Sequence, residues 1–243
     1  MIASDFDKRL SRTNTDIKDA VALWCEDQRK ARIQYGDIRD WDTSLVTDMS
    51  ELFAKKTIPS ELDHIDISRW NVSNVTTMTR MFSHCSGEFT LKDWDVSKVT
   101  TFYQMFHAAL IFNQPLDTWD TSSATNMSDM FNNAHSFNQP LEHWNVANVE
   151  NMRRMFRGAR KFNGALGAWN VSSCTIMSEM FYSAASFNQP LEQWDVRSVT
   201  SMTSMFCGAF DFNQPIEKWN VGNVTSMAAM FSNTSFNQPL EQW

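Results

Sequence analysis

Five cations fall within nine residues of this chain: Arg153, Arg154, Arg157, Arg160 and Lys161. Planar guanidinium forks and a flexible ammonium at that density suit oxyanions, so they point to a phosphate, a sulfated or otherwise anionic glycan, or an acidic partner. These five are the candidate binding residues. A plainer reading stands beside that one. Asp129, Arg154 and Glu179 recur at 25-residue steps, and stacked side by side they would form an exposed ladder of ion pairs worth little to stability. On general grounds the solvated-ladder reading takes precedence.

The other reactive residue types do not assemble into a centre. Asp117, Glu142, Glu192, Glu217 and Glu241 each precede a tryptophan by two residues, and Asp42, Asp95, Asp120 and Asp195 each follow one. Calcium takes several such oxygens, but the second row alternates with asparagine and has no glycine-rich calcium loop, so turn and capping roles explain it better. The histidines His64, His84, His107, His135 and His143 sit at unrelated places, in no Ser/His/Asp or Cys/His arrangement. Cys25, Cys85, Cys174 and Cys207 share no CxxC spacing, which favours buried free thiols over zinc or disulfides. Thr47, Thr76, Thr100, Thr125, Thr175, Thr200 and Thr225 form a row read as capping hydroxyls. The expectation is a protein without catalytic residues, metal or cofactor.

A net charge of −7 argues against nucleic acid as a partner, since such binding rests on a basic surface. Apolar content of 42% and charged content of 20% are globular values. No apolar run approaches the about 18 residues of a membrane helix, so no membrane span is expected and the chain reads as soluble. The opening MIASDFDKRLSRTNTD has neither the apolar core nor the cleavage site of a secretory signal. That leaves location open between the cell interior and a chain whose signal has been removed.

The elements that must position these side chains come in two parts, residues 1–36 and 37–243. In the first, Ile17, Ala20, Val21, Trp24 and Cys25 recur at helical steps, which predicts one helix from Asp16 to Gln34, capped by Thr15 or Asn14 and ended by Gly36. Its single apolar stripe suits a cap over the end of a stack. In the second part tryptophan marks a repeat, at Trp41, Trp70, Trp94, Trp119, Trp144, Trp169, Trp194, Trp219 and Trp243. Five successive intervals are 25 residues, the flanking ones 24 and the first 29. A fixed period in the twenties means a solenoid of stacked units, about eight of them here.

Counting each tryptophan as zero, positions 8, 11, 12 and 15, as in Met202, Met205, Phe206 and Ala209, are spaced as one face of a two-turn helix. The FNQPL segment alternates as a short extended piece, in which proline limits pairing to one side. The expected fold class is therefore an α/β repeat solenoid of short strand and short helix units behind an N-terminal capping helix. Each unit is too small to stand alone, and this explains the recurring Met, Phe and Trp as stacking core rather than as a cofactor site. The last unit carries no polar cap, so the natural protein is expected to continue past Trp243 or to have that end covered by a partner or by end-to-end self-association.

The repeated string FNQPLEQWDVRSVTSMTSMF and its relatives FNQPLDTWDTSSATNMSDMF and FNQPIEKWNVGNVTSMAAMF resemble the unit of the BspA-like leucine-rich-repeat surface proteins of mycoplasmas, other bacteria and unicellular eukaryotes. The resemblance covers residues from about Gly36 to Trp243 and rests on the tandem FNQPL, WDV and MxxMF elements. It implies a right-handed leucine-rich-repeat stack used for cell-surface display, adhesion or protein binding, with a protein or host cell-surface macromolecule as partner. It also implies a secreted or surface location. It brings no catalytic residues.

Overall fold

The computed structural model describes residues 10–56 and 64–243; His64 is described by its backbone alone, and the first nine residues of the N-terminal segment lie outside the described set. Two helices replace the single expected one: α1 (Ile17–Glu26) and α2 (Gln28–Tyr35). The break is at Asp27, whose backbone is extended (φ −149°, ψ 89°) and whose carboxylate accepts the Lys30 amide at 3.0 Å. An aspartate three residues ahead of a free amide is an N-cap, and here capping outcompetes continuation of the first helix. Gly36, at φ 80°, ends α2.

Neither expected residue caps α1; its first residue is preceded by Asp16, which makes no side-chain cap bond. Asn14 works elsewhere. Its Oδ1 accepts the Thr47 and Asp48 amides at 2.9 and 3.2 Å, standing in for the carbonyl that each later unit receives from its predecessor. Strand β1 (Ser11–Thr13) pairs in parallel with β2 (Asp42–Leu45), so the N-terminal segment adds a further layer to the stack. α1 closes that end, its Trp24 ring meeting Trp41 edge-on at 6.1 Å.

Beyond this cap the units lie side by side in parallel register. Parallel bridges run without a gap through Asp48, Thr77, Thr101, Asn126, Asn151, Ile176, Ser201 and Ser226. At about 4.8 Å per step the seven steps span about 34 Å. In the irregular early units β3 (His64–Ile65) pairs with β4 (Glu88–Phe89).

The segment expected as a short helix is a succession of turns. Positions 10 and 14 of every unit are left-handed, as at Glu179 (φ 58°) and Ser183 (φ 55°). The amides at positions 8, 10, 12 and 14 then point to the next unit: Met177 to Ser201, Glu179 to Thr203, Phe181 to Met205 and Ser183 to Cys207, at 2.7–3.1 Å. The amides at positions 11 and 13 fold back three residues, as from Met180 to Met177. A helix would keep all these bonds within the segment. The left-handed conformation costs roughly 1–2 kcal/mol at a residue other than glycine, and the inter-unit bonds and packing offset it.

Packing repeats the same logic. Phe131, Phe156, Phe181 and Phe206 stack along the array at 5.5–5.7 Å, nearly parallel. Within a unit, Phe181 meets Phe187 at 4.0 Å. From Trp70 onward each tryptophan of the repeat ties its layer to the one before: Trp144 Nε1 donates to the Leu116 carbonyl at 2.8 Å, and Trp169 to Leu141 at 2.9 Å. The asparagine of FNQP does the same through its side chain, the Asn188 amide donating to Asn163 Oδ1 at 3.0 Å. Hence this motif forms a side-chain ladder rather than a strand.

Candidate functional site

The stack sorts its side chains by position. The recurring methionine, phenylalanine and tryptophan positions point inward and are fully or almost fully buried in the interior units, whereas Phe210, outside those positions, is exposed. The threonine row is exposed, and its hydroxyls donate to the preceding unit's carbonyl, as Thr200 Oγ1 does to Thr175 O at 3.1 Å. The expected helix-capping role is thereby replaced by a tie between units. The Asp/Asn row after tryptophan makes turns, as expected: Asp195 Oδ1 accepts the Arg197 amide at 3.2 Å.

What remains is a polar face built on positions 9, 10, 13 and 14, and this is where the units differ. Position 10 reads Glu51, Arg80, Gln104, Asp129, Arg154, Glu179, Ser204 and Ala229 along the stack. Neighbours engage one another. Arg80 Nη1 lies 3.4 Å from Glu51 Oε1, its Nε donates to Gln104 Oε1 at 2.6 Å, and its guanidinium lies 5.7 Å from the Tyr103 ring centre. Asp129 is buried and accepts from Asn132 Nδ2 at 2.6 Å.

The five cations singled out by sequence divide into two groups. Arg153, Arg154 and Arg157 converge on one carboxylate, with nitrogens 4.0, 2.7 and 3.1 Å from Glu179. Only Arg154 makes a hydrogen bond there; Arg157 Nε is close by distance but misaligned, and its guanidinium lies 4.8 Å from the Tyr182 ring centre. Burial would raise the Glu179 pKa, but the hydrogen bond from Arg154 and the charges of Arg154, Arg157 and Arg153 outweigh it and hold the carboxyl below its ordinary range. Arg160 and Lys161 sit in the next turn, closed by the Phe162 amide on Ala159 O, are exposed, and take no part in an ion pair among the described residues. Of the proposed Asp129, Arg154 and Glu179 ladder, the Arg154–Glu179 rung is formed, while Asp129 turns to Asn132.

A groove of about 540 Å³ opens on the same face nearer the N-terminus. Glu51, Lys55, Arg80, His84, Gln104 and His107 are among its walls. Sequence reasoning missed it, because a helical reading disperses residues that alternating left-handed turns place in one row. The available signal was Gly158, Gly208, Asn133 and Asn233 at position 14, residue types suited to the left-handed region.

Burial suppresses three of the four thiols as nucleophiles. Burial pushes Cys174 up to about 12, and Cys25 and Cys85 up to about 11. Among the described residues no three His, Cys, Asp or Glu side chains gather as metal ligands, and no helix is long and apolar enough to cross a membrane.

The tandem order of the stack is matched by the comparison with known families. The profile of the family described as "Mycoplasma protein of unknown function, DUF285" matches three successive, overlapping stretches, residues 26–90, 86–191 and 164–243. The chain belongs to the DUF285 family. Among curated proteins and among solved structures, none matches it significantly.

Proposed function

We propose that this DUF285 chain is a non-enzymatic repeat protein that binds a protein or cell-surface macromolecule through the face of positions 9, 10, 13 and 14. The observation that carries the reading is the contrast within each unit. Core positions repeat almost unchanged, while position 10 runs through carboxylate, guanidinium, amide and small side chains. Stacking needs only a left-handed backbone there, which glycine or asparagine would supply at least cost. Placing Glu51, Arg80, Gln104, Arg154 and Glu179 at that strained site displays a pattern of charges instead, and such patterns select partners.

The BspA-like resemblance supports a right-handed, leucine-rich-repeat-like solenoid, and with it surface display or adhesion. The test is capture of surface proteins and glycans from the source cells or their host by the chain and by a variant with Arg80, Gln104 and Arg154 replaced by serine. Specific partners lost with the triple variant support the reading. Partners retained at full yield place recognition on another face.

A further inference from the structure

We propose that the groove beside Arg80 is a binding site for a small phosphate or sulfate monoester. Three cations, Lys55, Lys56 and Arg80, face it against a single carboxylate, Glu51. Glu51 is only 3.4 Å from Arg80 and offsets one of them, which leaves two positive charges in excess. By contrast, the arginine-rich unit further along spends three guanidinium groups on Glu179. The concentration of basic residues in sequence therefore lies in one unit, and the unneutralised concave cationic surface is shared among the first three units.

Two further features favour an anion. His84 and His107 meet edge to face at 4.9 Å, and His107 Nδ1 is buried without a hydrogen-bond partner. Lys55 and His84 occupy position 14 at φ 57° and 56°, where Gly158 and Gly208 stand in other units. Both side chains are thus held at a costly backbone position that aims them along one row. At about 540 Å³ the space exceeds a bare oxyanion and suits one carried on a sugar or a short side chain. The groups around His107 are His84, Asp129, Arg80 and Arg157; burial first, and then His84, Arg80 and Arg157 against the opposing Asp129, lower its pKa. A bound anion reverses the balance and favours the imidazolium.

The experiment follows the histidine ring signals of the full chain by NMR during titration with inorganic phosphate, inorganic sulfate, a hexose 6-phosphate and a hexose 6-sulfate, each against sodium chloride at equal ionic strength. Saturable movement of the His84 and His107 signals with at least one of these probes is expected, together with an upward shift of the His107 titration midpoint. Arg80→Gln should weaken binding about tenfold or more, the loss of one charge-assisted contact. The double change Lys55→Ser, Lys56→Ser, at exposed or half-exposed positions, should weaken it in the same direction. The phosphate and sulfate arms tell the two sources apart. Movement of His135 instead of His84 and His107 would place the anion at Arg160 and overturn the proposal. So would the absence of saturation with every probe, or unchanged affinity in both variants. This result is independent of whether a macromolecule binds the wider face.

Discussion

Replacing Trp169 by phenylalanine tests how the units are held together. Trp169 is buried, its ring is parallel to Trp194 at 6.5 Å, and its Nε1 donates to Leu141 O at 2.9 Å. Phenylalanine keeps an aromatic ring but loses the donor and part of the volume. The Leu141 carbonyl also accepts the Trp144 amide, so it is not orphaned, and the lost hydrogen bond should cost about 1 kcal/mol. The smaller ring leaves a void in a well-packed layer, adding about 1–3 kcal/mol. The expected total is about 2–4 kcal/mol. The control is Thr175→Val, which removes an exposed tie of 3.2 Å to Glu150 O while the Thr175 amide still donates to the same carbonyl; it should cost about 0.5 kcal/mol or less. Urea unfolding of both variants beside the parent supplies the comparison. A fall in the denaturant slope for Trp169→Phe would show units on its two sides unfolding separately. If the two variants agree within about 0.5 kcal/mol, the tryptophan row does not hold the stack.

Three further outcomes are expected. Glu179 has a depressed carboxyl pKa, so its contribution is present above the unfolded value and is lost as pH falls through the folded one. Glu179→Gln should therefore flatten the loss of stability between about pH 5 and pH 3, and an unchanged acid-unfolding profile would deny the three-arginine cluster that role. Cys174, with its thiol pushed up to about 12 by burial, should resist alkylation at pH 8 until the chain unfolds; rapid native-state labelling followed by mass spectrometry would contradict the packing. Gly158→Ala brings a Cβ against Asn133 Oδ1 at φ +66°, so thermal unfolding should show a loss of roughly 1–2 kcal/mol.

The period, the core residues and the Asp/Asn turns were legible because they recur, and recurrence exposes what every unit needs. The conformation of the MxxMF segment was not. Met177, Met180, Phe181 and Ala184 satisfy helical spacing, yet left-handed residues at Glu179 and Ser183 turn alternate amides toward the next unit. Side-chain periodicity records which residues face inward; it is blind to where the backbone amides go. The same blindness affected the site. The 25-residue spacing of Arg154 and Glu179 made their ion pair legible, but not that Arg153 and Arg157 converge on the same carboxylate or that Asp129 turns away to Asn132. The Arg80 groove draws on three units, and nothing in any one of them marks it. The first helix was misjudged for a local reason, since Asp27 carries the N-cap signal in the middle of an otherwise periodic run.

The claim on which the account turns is that recognition uses the varying face rather than the repeated motifs. The most direct measurement places a photoreactive side chain at Gln104 or Arg153 on that face, and at Ser172 in an Asx turn, and irradiates each in the presence of surface extract from the source cells or their host. Adducts from Gln104 and Arg153, with none from Ser172, are the predicted result. Adducts from Ser172 alone would contradict it.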